Sequence, residues 1–179
     1  MSYMTPHSFH MNLTDLFLAE LDREAAATRR VLERVPEGRP DWKPHPRSMT
    51  LGRLAALVAG MPGWIAMMIE TDEFDFAPPG VTPDHPELGS VKELVALLDS
   101  STAKAREALL NTDDDHLLTN WKLKAQGRVV TEVPRYLNIR DGVFNHLAHH
   151  RGQLTVYLRL TESRVPAIYG PSADEPLAA

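Results

Sequence analysis

The sequence predicts an all-α fold: a four-helix bundle with a short hairpin or extended crossover ahead of its last helix. Three observations carry this expectation. Four segments repeat apolar residues at three- and four-residue steps, the spacing of one helix face. Loops rich in proline and glycine separate the first three segments. Residues 117–131, between the third helix and the fourth, alternate apolar with polar side chains in places.

The first helix is expected from about Thr14 to Val35, where Leu16, Leu18, Leu21, Ala25, Thr28, Leu32 and Val35 trace a mostly apolar stripe. Thr14 suits an N-cap, and Pro36 and Gly38 stop the helix. In the proline-rich loop that follows, Trp42 is expected to anchor the chain onto the bundle. A second helix starts near Ser48. Leu51, Leu54, Leu57, Val58, Met61, Ile65 and Met68 make one face apolar, and Pro62 is placed to kink it. "TDEFDFAPPGVTPDHPELG" reads as a long loop. Ser90 and Glu93 then form a capping box for the third helix, whose inner face runs through Leu94, Leu98, Ala105 and Leu109. Gln126-Gly127 marks the turn of the hairpin. Pro134 opens the fourth helix, which continues to about Thr161. The chain thus reads as a single domain over 1–179, with a flexible N-terminus at 1–12 and an irregular tail at 163–179 packed on the bundle.

Of the 179 residues, 43% are apolar and 24% charged, as in ordinary globular domains. A net charge of −5 argues against a nucleic-acid partner, which would favour a basic face. The chain has no cysteine. That excludes disulfides, Cys-ligated zinc, iron–sulfur clusters and a thiolate nucleophile of its own, and it fits a cytoplasmic location. "MSYMTPHSFHMNLTDLF" lacks the apolar core of a signal peptide. The apolar stretch near 54–69 is broken by Gly60, Pro62 and Gly63, so no membrane span is expected.

"FNHLAHHRGQLTVYLRL", residues 144–160, places three histidines within five positions of the last helix. At about 100° per residue, His150, Gln153 and Tyr157 all fall within about 40° of His146. Arg140, Asp141, Arg151 and Arg159 fall on the opposite side, so the histidine stripe is expected to face the interior. Imidazoles four residues apart on a helix can put two nitrogens around one ion, at about 2 Å from each. They can equally be neutral core histidines satisfied by Gln153 and Tyr157.

"HLAHHRGQLTVYLR" followed by "VPAIYGPSADE" resembles the DinB/YfiT-like family, and "SMTLGRLAALVAGMPGW" is similar to that family's second helix. The resemblance implies an up-down-down-up bundle, often a homodimer, in which three histidines hold a divalent ion such as zinc or nickel. His146 and His150 match the two ligands of the last helix. The third ligand belongs to the second helix, where this chain reads Leu54-Ala55-Ala56-Leu57-Val58 and Leu57 stands in the histidine's place. Leucine has no lone pair, so metal binding is expected to be weak or absent unless His45, Asp41 or a tail carboxylate such as Asp174 swings in.

The implied activity is that of a metal-dependent hydrolase or a low-molecular-weight-thiol-dependent transferase. It would act on a small-molecule substrate or thiol cosubstrate, with Gln153, Tyr157, Leu57 and Tyr169 around it. The ion would lower the pKa of a water or thiol. The Tyr169-Gly170-Pro171-Ser172 segment is either a terminal turn or a pocket lid. The alternative is a non-catalytic module that binds a small molecule or pairs as a dimer.

Other features point to structure. His149 is expected to be structural, Arg151 to pair with a carboxylate, and Gly152 to permit close helix packing. His7 and His10 read as solvated, and His85 and His116 lie in or beside loops. "DDD" at 113–115 lacks the alternating ligands of a calcium loop and reads as a solvated helix end. No phosphate loop, dinucleotide fingerprint, G-x-S-x-G or H-E-x-x-H occurs.

Overall fold

A computed structural model describes residues 11–81 and 88–177. It corrects the expected fold class: the helices share the molecule with a three-stranded mixed sheet, so the architecture is mixed α/β and not an all-α four-helix bundle. The helices are α1 (Leu13–Leu32), α2 (Leu51–Gly60), α3 (Trp64–Glu70), α4 (Val91–Leu110), α5 (Asp114–Leu117), α6 (Arg135–Ile139) and α7 (His146–Leu160). The strands are β1 (Glu73–Asp75), β2 (Asn120–Ala125) and β3 (Arg128–Pro134), in the order β1-β2-β3.

The hairpin falls where the alternation places it. Gln126 (φ 52°) and Gly127 (φ 75°) both take left-handed backbone, which a two-residue hairpin turn with the twist of its strands requires. The unforeseen strand is β1. It pairs in parallel with β2, Glu73 opposite Lys122 and Asp75 opposite Lys124, across a connection that contains all of α4 and α5. Three residues are too few for a periodic signal, and the pairing is wholly tertiary. Asp75 holds it in place: its carboxylate accepts from the amides of Ala77 (3.0 Å) and Gly127 (2.6 Å), on the hairpin turn. Trp121 on β2 is fully buried and donates its indole N–H to Thr71 Oγ1.

The helix ends also differ in detail. The N-cap of α1 is Asn12, not Thr14, and its side chain makes no capping bond. Asp114 does the work from a distance, accepting from the amides of Leu13 and Thr14, while Asp113 caps α5 through the His116 amide. The acidic run is therefore a pair of helix caps, placed where a helix N-terminus favours negative charge. The Ser90/Glu93 capping box is present as read. Thr50 caps α2, two residues beyond the expected start. Pro62 lies in a 3₁₀ turn, Met61–Gly63, that joins α2 to α3.

The apolar stripe of α1 lies about one residue away from the one expected. Phe17, Leu21, Glu24, Ala27, Thr28, Val31 and Leu32 are buried, whereas Leu16 is exposed. One core cluster gathers α2 with the C-terminal half of α1, the first half of α4, and α7, through Leu54, Val58, Leu94, Leu147, Leu154 and Leu158. The other joins Phe17, Ile65, Leu109, Trp121, Val143 and Phe144 beneath the sheet. Each fully buried Leu or Ile contributes about 1.5–3 kcal/mol. Leu51–Glu70, apolar enough by length and composition to cross a membrane, is two-thirds buried within this core.

Two features set the course of the last helical rod. Arg135, at the start of α6, is buried and donates to the carbonyls of Met68, Thr71 and Asn120 and to the Asp72 carboxylate. It ties the end of α3 to the sheet. Between α6 and α7, residues Arg140–Asn145 form a π-helical turn, a rare wide turn frequent at functional sites, and His146 follows it directly.

Candidate functional site

His146 and His150 sit on the first turn and a half of α7, half-buried and not core-facing as the helical wheel implied. Their rings are 4.5 Å apart, with His146 Nε2 and His150 Nε2 separated by 2.8 Å. On its other side, His150 Nδ1 lies 2.8 Å from Gln153 Oε1. An amide oxygen only accepts, so His150 Nδ1 carries a proton and, in the neutral ring, Nε2 carries a lone pair. A single proton then occupies the space between the two Nε2 atoms, donated by His146. Burial holds the His150 pKa below the usual histidine value. The Gln153 hydrogen bond opposes this, and the neighbouring His146 and His149 reinforce it.

The opposite wall belongs to α2 and α3. The Trp64 ring lies 5.9 Å from His146. At the other end of α7, Tyr157 donates to the Met49 carbonyl, just ahead of α2. These two contacts fix the helices as antiparallel and bring Leu57 about level with His150. Leu57 is half-buried and packs on the first core cluster. Trp64 was not singled out in the sequence, although its seven-residue spacing from Leu57 puts both on one helix face.

The remaining predicted residues go elsewhere. Tyr157 is buried, its ring edge-on to Trp42 at 5.5 Å, so it anchors the loop before α2 as Trp42 was expected to do. Tyr169 reaches the opposite side of α7. Its hydroxyl donates to Glu24 Oε2 (2.7 Å) and also meets Arg151, whose guanidinium lies 5.1 Å from the Tyr169 ring centroid. Burial, with the Glu24 hydrogen bond and charge, raises the Tyr169 pKa against the opposing pull of Arg151. Arg151 does pair with a carboxylate, and it is 1% exposed. Its Nη2 binds Glu24 Oε2 at 2.6 Å, and its Nη1 donates to the Glu24 carbonyl and to Thr28 Oγ1. Gly152 is exposed with nothing within 4 Å of a Cβ built on it, so it serves no close packing.

Asp174 accepts from Arg159 and from the Val165 amide, which together with the Arg159 charge keep its pKa low; it is committed to the fold of the tail. His45 accepts from the Arg47 amide in an exposed loop. His149 is exposed, its ring edge-on to His150 at 5.0 Å. His116 bonds the Ile69 carbonyl. His7, His10 and His85 lie outside the described residues.

Two imidazole nitrogens aimed at one point suit two positions of a divalent ion. A tetrahedral ion with bonds of about 2.0–2.1 Å needs its nitrogens about 3.3 Å apart, so the rings would part by about 0.5 Å. A third protein donor is not in place: among the described residues no three His, Asp or Glu side chains are grouped to hold a metal. The set fits an edge of a metal site and not the closed three-histidine site.

A DinB family profile matches residues 9–177. The chain belongs to the DinB family, as the histidine run and the tail motif implied. It is 27% identical over 161 residues to the uncharacterized protein YrdA of Bacillus subtilis (strain 168), with 90% of each chain covered. Its fold is similar to that of a DinB-like protein from Bacillus cereus ATCC 10987, at a TM-score of 0.65 and 24% identity, over 86% of this chain and 95% of that one. It is also similar to the DinB-like protein YjoA of Bacillus subtilis, at a TM-score of 0.62 and 16% identity, over 84% of this chain and 96% of that one.

Proposed function

We propose that this chain is a metal-dependent enzyme of the DinB type, a hydrolase or a transferase that uses a low-molecular-weight thiol, working at the His146/His150 edge with a weakly held zinc or nickel ion. The observation that carries the reading is the 2.8 Å approach of the two Nε2 atoms, with Gln153 fixing the His150 tautomer from behind. A ligand histidine commonly donates its other ring N–H to an outer acceptor, and Gln153 fills that part. The ion supplies charge that lowers the pKa of a water or thiol. His146 and His150 orient it, Trp64 and Leu57 shed water from one wall, and Gln153 keeps the His150 lone pair directed inward. The substrate is a small molecule and not a nucleic acid, and the setting is cytoplasmic, with a homodimer as the working form.

Metal analysis of untagged protein, with zinc calorimetry, tests this. Wild type should bind one equivalent weakly and His150→Ala none. Leu57→His should raise affinity by orders of magnitude by supplying the third nitrogen. No binding by wild type and no gain in Leu57→His would leave the second reading, a non-catalytic small-molecule or dimer module. That reading is favoured by one observation: Leu57 extends the apolar core to the histidines.

A further inference from the structure

From Leu51 to Ile69 every residue is buried except Arg53, Leu57, Gly60, Gly63, Trp64 and Met67. Their three- and four-residue spacing makes one open stripe along α2 and α3. Trp64 of this stripe meets His146, so the stripe and the histidine face of α7 are two walls of one groove. On the α4 side, Gly60 looks onto Leu97 and Gly63 onto Ser101.

Arg53 is the one charged residue of this stripe, and its charge is positive. Arg53 is half-buried, one helical turn or about 6 Å along the axis from Leu57, and it has no carboxylate partner among the described residues. Arg29, Arg135, Arg140, Arg151 and Arg159, by contrast, each pair with a carboxylate, that of Asp99, Asp72, Glu20, Glu24 and Asp174 respectively. No Asp or Glu occurs between Leu51 and Ile69, or between His146 and Leu160. On α4, Glu93 caps its own helix through Ser90, and Asp99 pairs with Arg29. In a chain with a net charge of −5, a guanidinium with no carboxylate partner among the described residues, beside an apolar floor, suits an anion.

We propose that Arg53 anchors the carboxylate of a small organic acid. The acid's apolar body lies across Leu57 and Trp64, and its far end reaches His146 and His150. This deepens the enzymatic reading by naming the class of ligand the groove accepts, and it rests on that reading only for what happens at the far end. Arg53 binds and positions; the histidines face the reacting end.

The test uses the full chain and two probes of the same shape, 3-phenylpropionate and 3-phenylpropan-1-ol, followed by NMR at the Arg53 side-chain N–H, the Trp64 indole and the Gln153 amide, without metal and with zinc. The carboxylate should shift all three signals saturably, with the alcohol at least about tenfold weaker, the worth of one charge-assisted contact. Arg53→Gln should erase the difference and Arg53→Lys should restore part of it, each variant being checked for native circular dichroism. Equal binding of the two probes to wild type, or undiminished binding of the acid to Arg53→Gln, overturns the proposal. Zinc calorimetry on the same samples separates the two readings: absent zinc binding ends the metal reading and leaves the Arg53 result standing.

Discussion

Two faces of α7 make opposite use of polar side chains. On one, Arg151 is buried with every contact answered: Glu24 through both carboxylate and carbonyl, Thr28 through its hydroxyl, and Tyr169 through hydroxyl and ring. On the other, His146, His150 and Gln153 are half-buried or exposed and satisfy mainly one another. A buried charge without its partners is costly, so the first face is closed and rigid by necessity. The second leaves a groove open to solvent. The contrast separates two motifs that the resemblance joined. Arg151 and Tyr169 belong to the closed face, and the H-x-x-x-H element to the face of the proposed site.

The most damaging way to break this contrast is to open the closed face. Glu24→Ala strands the Arg151 charge in the core and should cost about 3–5 kcal/mol in denaturant unfolding. Replacing both residues with Glu24→Leu and Arg151→Met should recover much of that loss. Tyr169→Phe removes one hydroxyl from the same cluster and should cost about 1–3 kcal/mol. Faster amide exchange should be confined to residues 163–177, because the tail then loses its tie to α1.

The smallest effect sharpens the open face. His150 is held below its ordinary pKa by burial, so its neutral form is favoured on folding. As pH falls below about 6.5 the unfolded chain takes up a proton that the folded chain still refuses. Stability that is full above that pH should therefore decline until the folded value is passed. His150→Gln should flatten that part of the pH profile, and an unchanged slope would show that His150 does not set it.

What could be read in the sequence follows a simple division. Local signals were legible: the Ser90/Glu93 box, the Gln126-Gly127 turn, Pro134 at a helix start and the nearness of the two imidazoles, though not the face they take. Long-range ones were not. Asp114 caps a helix about a hundred residues away, and β1 exists only because β2 is beside it. Glu24 reads as surface from its charge, although the helical wheel sets it beside Leu21 and Thr28, because nothing in its own segment announces Arg151. The same limit applies to the site. The two nitrogens were foreseeable from their spacing, whereas Trp64 and Arg53 acquire meaning only once α2 and α7 lie side by side.

The wide turn at Arg140–Asn145 has a consequence for the length of this chain. It absorbs an extra residue between the buried Arg135 and the rod that starts at His146. Removing one residue there would leave the upstream end clamped and swing everything downstream by about 100°. Arg151 would lose Glu24 in the same motion that carried the imidazoles off Trp64. Anchor and reactive edge thus share one phase, and a single-residue deletion in that stretch is a harsher change than most substitutions on either face.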